Sequence, residues 1–409
     1  MASSTTSGDR PATGPIPGAA ARARQSDVVI GLTGAGIGAL TTVMGPYLSF
    51  RPNRIVDGLS QTALEAFGPL GWLALALWAL SGLVALTRPR AWTGAARAAL
   101  GSSAVLTLLA AAGADAASFA AAQGAAARTS FGASFYLALL AAFLVSYSAS
   151  AETPGRLGRA VIALFPVIAL VALAATGALA ELGIVREWML TRTTFVRELR
   201  RHLFYALGAT GGAIALGIPM GVLSARSRHA ETAIMGSLNL GQVFPALAFV
   251  GIMMPILGAL GDRFATVRAL GISGIGWAPV FVVLLVYALF PVTRNTLVAI
   301  RQIDPAVLDT ARGMGMSRWR SLFEVEMPLA FPVVLAGVRI ALVQSTAGAI
   351  LAAFVGGGGL GTIMFFGLEQ TSMDLVLVGV LPIVALALVF DAGLRVVERM
   401  AGGSEESYA

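Results

Sequence analysis

The polar residues whose types and spacing suggest chemistry are concentrated in residues 304–328, between two long apolar runs. Asp304 can cap a helix by accepting a hydrogen bond from its first turn, and Pro305 suits the first helical position. Gly315 predicts the end of that helix, and Ser317 can cap a second short one. An ordered polar helix beside a membrane indicates a docking element for a soluble partner. We call residues 304–328 the docking segment.

The docking segment also has the residue pattern of a contact face. Ala311 and Gly315 lie four residues apart, so on a continuous helix they share a face that another backbone could approach closely. Pro328 predicts the end of the second short helix. Charged residues flank the small-residue face: Asp309, Arg312, Arg318 and Arg320.

The composition excludes several kinds of site. All 28 basic residues are Arg, so the chain cannot form the nucleotide-binding loop of the G-x-x-x-x-G-K-[ST] type, which needs a Lys. Cys is absent and the two histidines, His202 and His229, are far apart in sequence, so no metal site is predicted. We expect no catalytic residue and no bound cofactor in this chain.

The hydropathy predicts an all-α polytopic membrane protein. The chain has 409 residues, of which 57% are hydrophobic and only 12% charged, whereas about 25% is usual for soluble domains. A membrane-crossing helix needs about 20 mostly apolar residues. About ten such runs are present: 28–48, 64–86, 98–120, 131–150, 158–180, 203–223, 232–257, 277–299, 330–354 and 374–396.

The arginines predict the orientation. If the N-terminus is cytoplasmic, most arginines fall in cytoplasmic loops, as does the docking segment, and the C-terminus is cytoplasmic as well. The net charge of +7 therefore indicates membrane topology, and we expect no nucleic-acid partner. The predicted domains are a disordered cytoplasmic tail (1–27), a five-span region (28–180), a linker or outer interfacial helix (181–202), a second five-span core (203–396) and a cytoplasmic tail (397–409).

Polar and flexible residues near the end of one span suggest a transport path. Gln344, Ser345 and Thr346 lie within span 330–354, where they could line a path or bond to a neighbouring helix. The glycines Gly356, Gly357, Gly358 and Gly359 follow this span. Four consecutive glycines do not hold a rigid helix, so we expect an irregular backbone facing water. It would form an outer gate, a contact for another protein, or a simple flexible turn.

The docking segment resembles the signature loop of binding-protein-dependent ABC importer permeases. That family has Glu-Ala-Ala, three residues, Gly, nine residues and then Ile-x-Leu-Pro. Residues 309–311, Gly315 and residues 325–328 match this spacing, with Asp309 in place of the Glu. In the family this loop is the coupling helix, which sits in a groove of the ATPase subunit. The resemblance implies that the ATPase-facing residues are Asp309, Ala311, Arg312, Gly315 and Met316.

Further motifs resemble the permeases of osmoprotectant importers, which handle glycine betaine, choline and carnitine. They lie at 202–203, 217–221, 339–342, 344–349 and 354–361, and the resemblance covers about residues 195–396. It implies a type I importer permease core in a bacterial cytoplasmic (inner) membrane. It also implies three partners: ABC ATPase subunits, a second permease core (the same or a different chain) and an extracytoplasmic solute-binding protein.

Two alternatives remain at this point. Five spans followed by five in the opposite orientation is also the topology of a secondary transporter with an inverted repeat. Glycines interrupt spans 28–48 and 203–223, at corresponding positions of the two halves. This alternative leaves the docking segment unexplained. A structural membrane protein without a transport role would explain the hydropathy alone.

Overall fold

The chain folds into two helical units. The computed structural model describes residues 19–400, except residues 54, 55, 57, 88, 89, 91 and 125. The units comprise Met1–Arg186 and Glu187–Ala409. Of the predicted terminal tails, residues 1–18 and 401–409 lie outside the described residues. Residues 19–27 and 397–400, which we also assigned to tails, are instead helical.

The first unit contains six helices and three short strands among its described residues, and the first turn of the next helix. In chain order these are α1 (Ala19–Val43), β1 (Leu48–Arg51), β2 (Leu59–Gln61), α2 (Ala63–Phe67), α3 (Pro69–Leu86), α4 (Thr93–Gln123), β3 (Arg128–Phe131), α5 (Ala133–Glu152) and α6 (Arg156–Ala175). α7 begins at Gly183.

The strands form a small antiparallel sheet in the order β2-β1-β3. Sequence analysis missed this sheet because strands of three or four residues are too short to show an alternating pattern. Tyr47 precedes β1 and is fully buried, with the rings of Phe67 and Phe135 each 5.8 Å away in edge-to-face geometry. These contacts pack the start of the sheet against helices α2 and α5.

Small residues allow the helices of the first unit to pack closely. Trp78 of α3 is fully buried, and a methyl group placed on Gly38 of α1 would lie 2.4 Å from its ring. Arg97 of α4 is also buried, and its guanidinium group contacts Glu152 at 3.3 Å and Ser148 at 3.1 Å, both on α5. A buried charge needs such partners.

The second unit contains the remaining helices. They are α7 (Gly183–Arg226), α8 (Arg228–Val243), α9 (Ala246–Arg263), α10 (Ala265–Ala269), α11 (Trp277–Arg301), α12 (Pro305–Gly313), α13 (Arg318–Ser321), a π turn (Leu322–Glu326), α14 (Met327–Gly348), a 3₁₀ segment (Ala349–Val355), α15 (Leu360–Glu369) and α16 (Met373–Met400). α11 is central, since it packs against α8, α9, α14 and the 3₁₀ segment.

The all-α class is confirmed. Ten stretches of helix in the described part of the chain are long and apolar enough to cross a membrane, and each overlaps one predicted span. The prediction of one span at 232–257 was wrong in its boundaries. The helix is interrupted at Phe244 and Pro245, and the part that is apolar enough to cross a membrane is α9. A residue before proline is disfavoured in helical geometry, which explains the break.

The segment 181–202 does not form a separate linker. From Gly183 it makes the first turns of α7, a continuous helix of 44 residues. Such a helix is roughly 66 Å long, about twice the hydrocarbon thickness of a bilayer. The arginine-rich first half is therefore rigidly joined to the apolar second half.

Candidate functional site: the docking segment and the glycine turn

The start of the docking segment is built as its sequence predicts. The Asp304 carboxylate accepts a hydrogen bond of 2.8 Å from the backbone N–H of Ala306, and Pro305 occupies the first helical position of α12. The Ser317 hydroxyl accepts from the N–H of Arg320 and caps α13. These caps satisfy backbone donors that a helix leaves free at its N-terminus.

Gly315 ends α12 with a Schellman motif. The N–H of Gly315 donates to the carbonyl of Arg312 at 2.9 Å, and the N–H of Met316 donates to the carbonyl of Ala311 at 3.1 Å. Gly315 has a φ of +77°, a left-handed conformation that glycine adopts without a steric penalty. The predicted helix end is confirmed. The left-handed backbone favours glycine at this position, in addition to the small size that a close contact would require.

The structure places four of the five predicted ATPase-facing residues at or near the surface. Asp309 and Arg312 are exposed and form an ion pair of 3.1 Å with each other, Gly315 is exposed, and Met316 is half-buried. Ala311 is only 1% exposed, so the partner-facing role predicted for it does not fit its position. Ala311 and Gly315 would share a face only on one continuous helix, and the turn at Gly315 interrupts that helix.

Sequence analysis did not include three large apolar residues of the segment among the partner-facing ones. Met314, Trp319 and Phe323 are exposed, and the rings of Trp319 and Phe323 stack with centroids 6.1 Å apart. Exposed apolar groups beside charged ones are typical of interaction surfaces. Behind the segment lies an open cavity of about 570 Å³, lined by Val222, Arg226, Leu308, Arg312, Met316, Arg318, Trp319, Ser321, Leu322 and Glu326.

The junction between the docking segment and α14 is a π turn, and Pro328 does not end a helix there. It occupies one of the first positions of α14, so the predicted stop was wrong. The N–H groups in the first turn of an α-helix have no partner within the helix, so proline, which lacks an N–H, is tolerated there. The wider π turn lies directly before this position. Glu326, at the end of this turn, is buried, and both its carboxylate oxygens lie 2.7 Å from Nη2 of Arg226.

The glycine turn (residues 356–359) is irregular, as predicted, but it does not face water. Gly356, Gly358 and Gly359 have φ values of +71°, +81° and +92°. Gly357, Gly358 and Gly359 are buried, and only Gly356 is exposed. The gate or contact role of these glycines stays a prediction, while the expectation of a water-facing backbone is corrected for three of them.

One face of α7 holds the glycine turn in place. The Glu198 carboxylate accepts a hydrogen bond of 2.8 Å from the N–H of Gly359, and the Tyr205 hydroxyl donates to the carbonyl of Gly357 at 2.7 Å. Between them, Nε2 of the fully buried His202 lies 3.0 Å from the carbonyl of Thr346. Sequence analysis missed this cluster, although a spacing of four and then three residues could have indicated a shared helical face.

The predicted path residues are mostly inside the helix packing. Ser345 and Thr346 are buried, and the Thr346 hydroxyl donates to the carbonyl of Leu342 in its own helix. Their burial does not fit a path-lining role in this conformation, and Thr346 bonds to a neighbouring helix through its backbone carbonyl. Gln344 is half-buried, so it is the one of these three that reaches toward a surface.

Comparison with known proteins assigns both units. Residues 217–401 match the family described as "Binding-protein-dependent transport system inner membrane component". The carnitine transport permease protein OpuCB of Listeria monocytogenes is 35% identical over 48% of this chain and 84% of its own length. The chain belongs to this family of ABC transporter permeases. Residues 27–185 match the N-terminal domain of the ABC transporter permease YehY.

Two other relatives of the permease carry similar names. The glycine betaine/carnitine/choline transport system permease protein OpuCB of Bacillus subtilis is 33% identical over 48% of this chain and 84% of its own length. The osmoprotectant import permease protein OsmW of Salmonella typhimurium is 33% identical over 50% of this chain and 91% of its own length. The resemblance to osmoprotectant importers is thus confirmed at the family level.

Family membership decides against the two alternatives. The permease is a component of a binding-protein-dependent transport system, and this membership argues against both a secondary transporter and a structural protein without a transport role. The fold agrees, because the described residues of the second unit form no strand to match the sheet of the first. It also gives the docking segment its context, since such a permease works with separate ATPase and binding-protein subunits.

Proposed function

We propose that this permease imports small osmoprotectants of the quaternary ammonium type, driven by ATP hydrolysis on a partner ATPase. The substrate class rests on the relatives named above. ATP and Mg²⁺ would be bound by the partner, since this chain contains no Lys for a nucleotide-binding loop. An extracytoplasmic solute-binding protein would deliver the solute, and a second permease core would complete the pathway.

The observation that carries this proposal is the docking segment. Its two capped helices and the Schellman turn between them form a preorganised surface, and a preorganised surface loses little conformational entropy when a partner binds. Asp309, Arg312 and Gly315 would contact the ATPase, together with the exposed Met314 and Trp319. Closure of the ATPase would move this segment and shift the core between outward-open and inward-open states.

Co-purification with ABC ATPases encoded beside this gene tests the docking proposal. We expect Gly315→Trp to abolish association, because the bulky ring would occupy the contact surface. Gly315→Ala introduces the left-handed backbone penalty without the bulk, so it should weaken association only partly. Gly393→Trp is the matched control, since Gly393 is exposed on α16 and a side chain there meets open space. Normal association of Gly315→Trp would contradict the docking surface.

Uptake into proteoliposomes tests the transport proposal. With ATPase, binding protein and ATP present, we expect uptake of radiolabelled glycine betaine, choline or carnitine. Uptake that continues without the ATPase would contradict an ATP-driven mechanism. Uptake of none of the three solutes, with ATP hydrolysis intact, would contradict the proposed substrate class.

Both termini and the docking segment are proposed to be cytoplasmic, as the arginine distribution predicts. The absence of Cys makes this testable with a single introduced thiol. Met314→Cys places the thiol at an exposed position of the docking segment. A membrane-impermeant maleimide should label it in inverted vesicles and not in right-side-out ones. The opposite labelling pattern would overturn the orientation.

A further inference from the structure

A buried apolar cluster that contains Leu322 of the docking segment packs against Val222 and Ala225 of α7, and the two elements also share an ion pair with an unequal distribution of exposure. The Glu326 side chain is 3% exposed, whereas the Arg226 side chain is 41% exposed. The Ser321 hydroxyl adds a hydrogen bond of 3.3 Å to the same carboxylate. A carboxylate removed from water in this way depends on its partners, so separating it from Arg226 is costly.

The two residues of this pair belong to different parts of the chain. Glu326 is the last residue of the π turn that connects the docking segment to α14. Arg226 is the last residue of α7. The docking segment is covalently continuous with its flanking helices α11 and α14, whereas the ion pair connects it to α7. α7 is also the helix whose Glu198 and Tyr205 hold the glycine turn.

The surroundings of the pair leave room for movement. The π turn is a break in regular helical hydrogen bonding, and such turns are frequent at functional sites. The cavity behind α12 is bounded by Val222 and Arg226 of α7 and by Leu308, Met316 and Glu326 of the docking segment. A displacement of the docking segment that moves the π turn also moves Glu326, and with it the ion pair to Arg226.

We propose that Arg226 and Glu326 are positioning residues that transmit displacement of the docking segment to α7. The pair is a mechanical link between ATP hydrolysis and the glycine turn, which contacts α7 near the middle of that helix, at Glu198 and Tyr205. This inference rests on the proposed function, because it presupposes that an ATPase moves the docking segment.

Reconstitution of the full complex, with ATP hydrolysis and solute uptake measured in the same vesicles, tests the link. We expect Glu326→Gln, which keeps the side-chain shape and removes the charge, to lower uptake per ATP hydrolysed about tenfold. Arg226→Gln should have the same effect. Since the two residues act as one unit, the double variant should be no worse than either single variant. Arg226→Lys keeps the charge and should restore part of the uptake.

Asp262→Asn is the matched control, because Asp262 lies outside the docking segment, is exposed, and pairs with Arg268 through its carboxylate. Its uptake per ATP should stay normal. ATPase co-purification and monodispersity in detergent are measured for every variant. If Arg226→Gln does not fold, because it leaves the buried Glu326 carboxylate without its partner, Glu326→Gln decides, since it removes the buried charge itself.

The outcomes separate this inference from the proposed function. If the unmodified chain binds no ATPase, or takes up solute without one, the proposed function fails and the link with it. If the unmodified complex is active and the Gln variants keep a normal uptake-to-hydrolysis ratio, the link alone is overturned. A parallel fall of uptake, hydrolysis and ATPase binding would also overturn it, because the pair would then serve docking only.

Discussion

Each unit holds a cluster of one arginine, one glutamate and one serine, and the two clusters differ in which charge is buried. They consist of Arg97, Glu152 and Ser148 in the first unit and of Arg226, Glu326 and Ser321 in the second. In the first cluster the arginine is 1% exposed and the glutamate 12%. In the second the carboxylate is buried and the arginine reaches water.

The difference follows from the elements that each cluster joins. Arg97 connects two regular helices, α4 and α5, which pack closely through small residues. A buried guanidinium with fixed partners holds such helices in one arrangement. Glu326 lies at an irregular turn, and its partner is half in solvent, where water can replace part of the interaction. The same three residue types therefore fix the packing of two helices in the first unit and connect a movable turn to α7 in the second.

The largest effect, a loss of stability, is expected from a substitution in the arginine–glutamate–serine cluster of the first unit. Arg97→Ala leaves Glu152 and Ser148 without their partner, so it should lower the free energy of unfolding by about 3–5 kcal/mol. Glu326→Gln should cost only about 1 kcal/mol, because Arg226 stays hydrated and the amide can still accept a hydrogen bond. Thermal and denaturant unfolding in detergent measure both. Equal losses would remove the distinction between the two clusters.

A second test addresses the close packing of the first unit. Gly38→Ala places a methyl group against the Trp78 ring, so it should destabilise the chain by about 1–3 kcal/mol. Gly36→Ala, two residues away on α1, meets open space and should be neutral or stabilising by up to about 1 kcal/mol. The same unfolding measurement applies. If Gly38→Ala were as mild as Gly36→Ala, the first unit would be more adaptable than its packing indicates.

The irregular turn of the second unit is tested by a smaller, local change. Tyr205→Phe removes the hydrogen bond to the carbonyl of Gly357, which is worth about 1 kcal/mol. Hydrogen exchange at residues 356–361 should become about fivefold faster, with little change in global unfolding. Tyr147→Phe, at an exposed position, is the control. A global loss without faster local exchange would contradict the view that the turn opens independently.

The smallest effect depends on pH. Hydrogen bonds from Arg301 hold the pKa of Glu231 below its ordinary value of 4.5. A lowered folded-state pKa contributes stability above the ordinary pKa, and this contribution is lost as the pH falls through the folded value. The difference in melting temperature between the unmodified chain and Glu231→Gln should therefore be present at pH 7 and shrink below about pH 4.5. A constant difference at acidic pH would show that the pair adds no charge-dependent stability.

Much of the docking segment was predictable because its signals are local. Asp304 and Ser317 cap the helices that follow them, and Gly315 takes the left-handed conformation that its residue type favours. Each of these depends on a few neighbouring residues. The helix end predicted at Pro328 was wrong because proline in a first helical turn and proline after a helix have the same sequence signature. The burial of Ala311 was not predictable because it depends on where α12 packs.

The sequence by itself determined the all-α membrane class, the ten apolar helices, the helix caps and the family, since each follows from composition or from residues close in the chain. Only the tertiary structure decided that Glu326 meets Arg226, that α7 holds the glycine turn, and that three of its glycines are buried. Those contacts join residues that are 100 or more positions apart. They depend on how helices pack, and side-chain periodicity in one helix carries no information about which distant residue it will face.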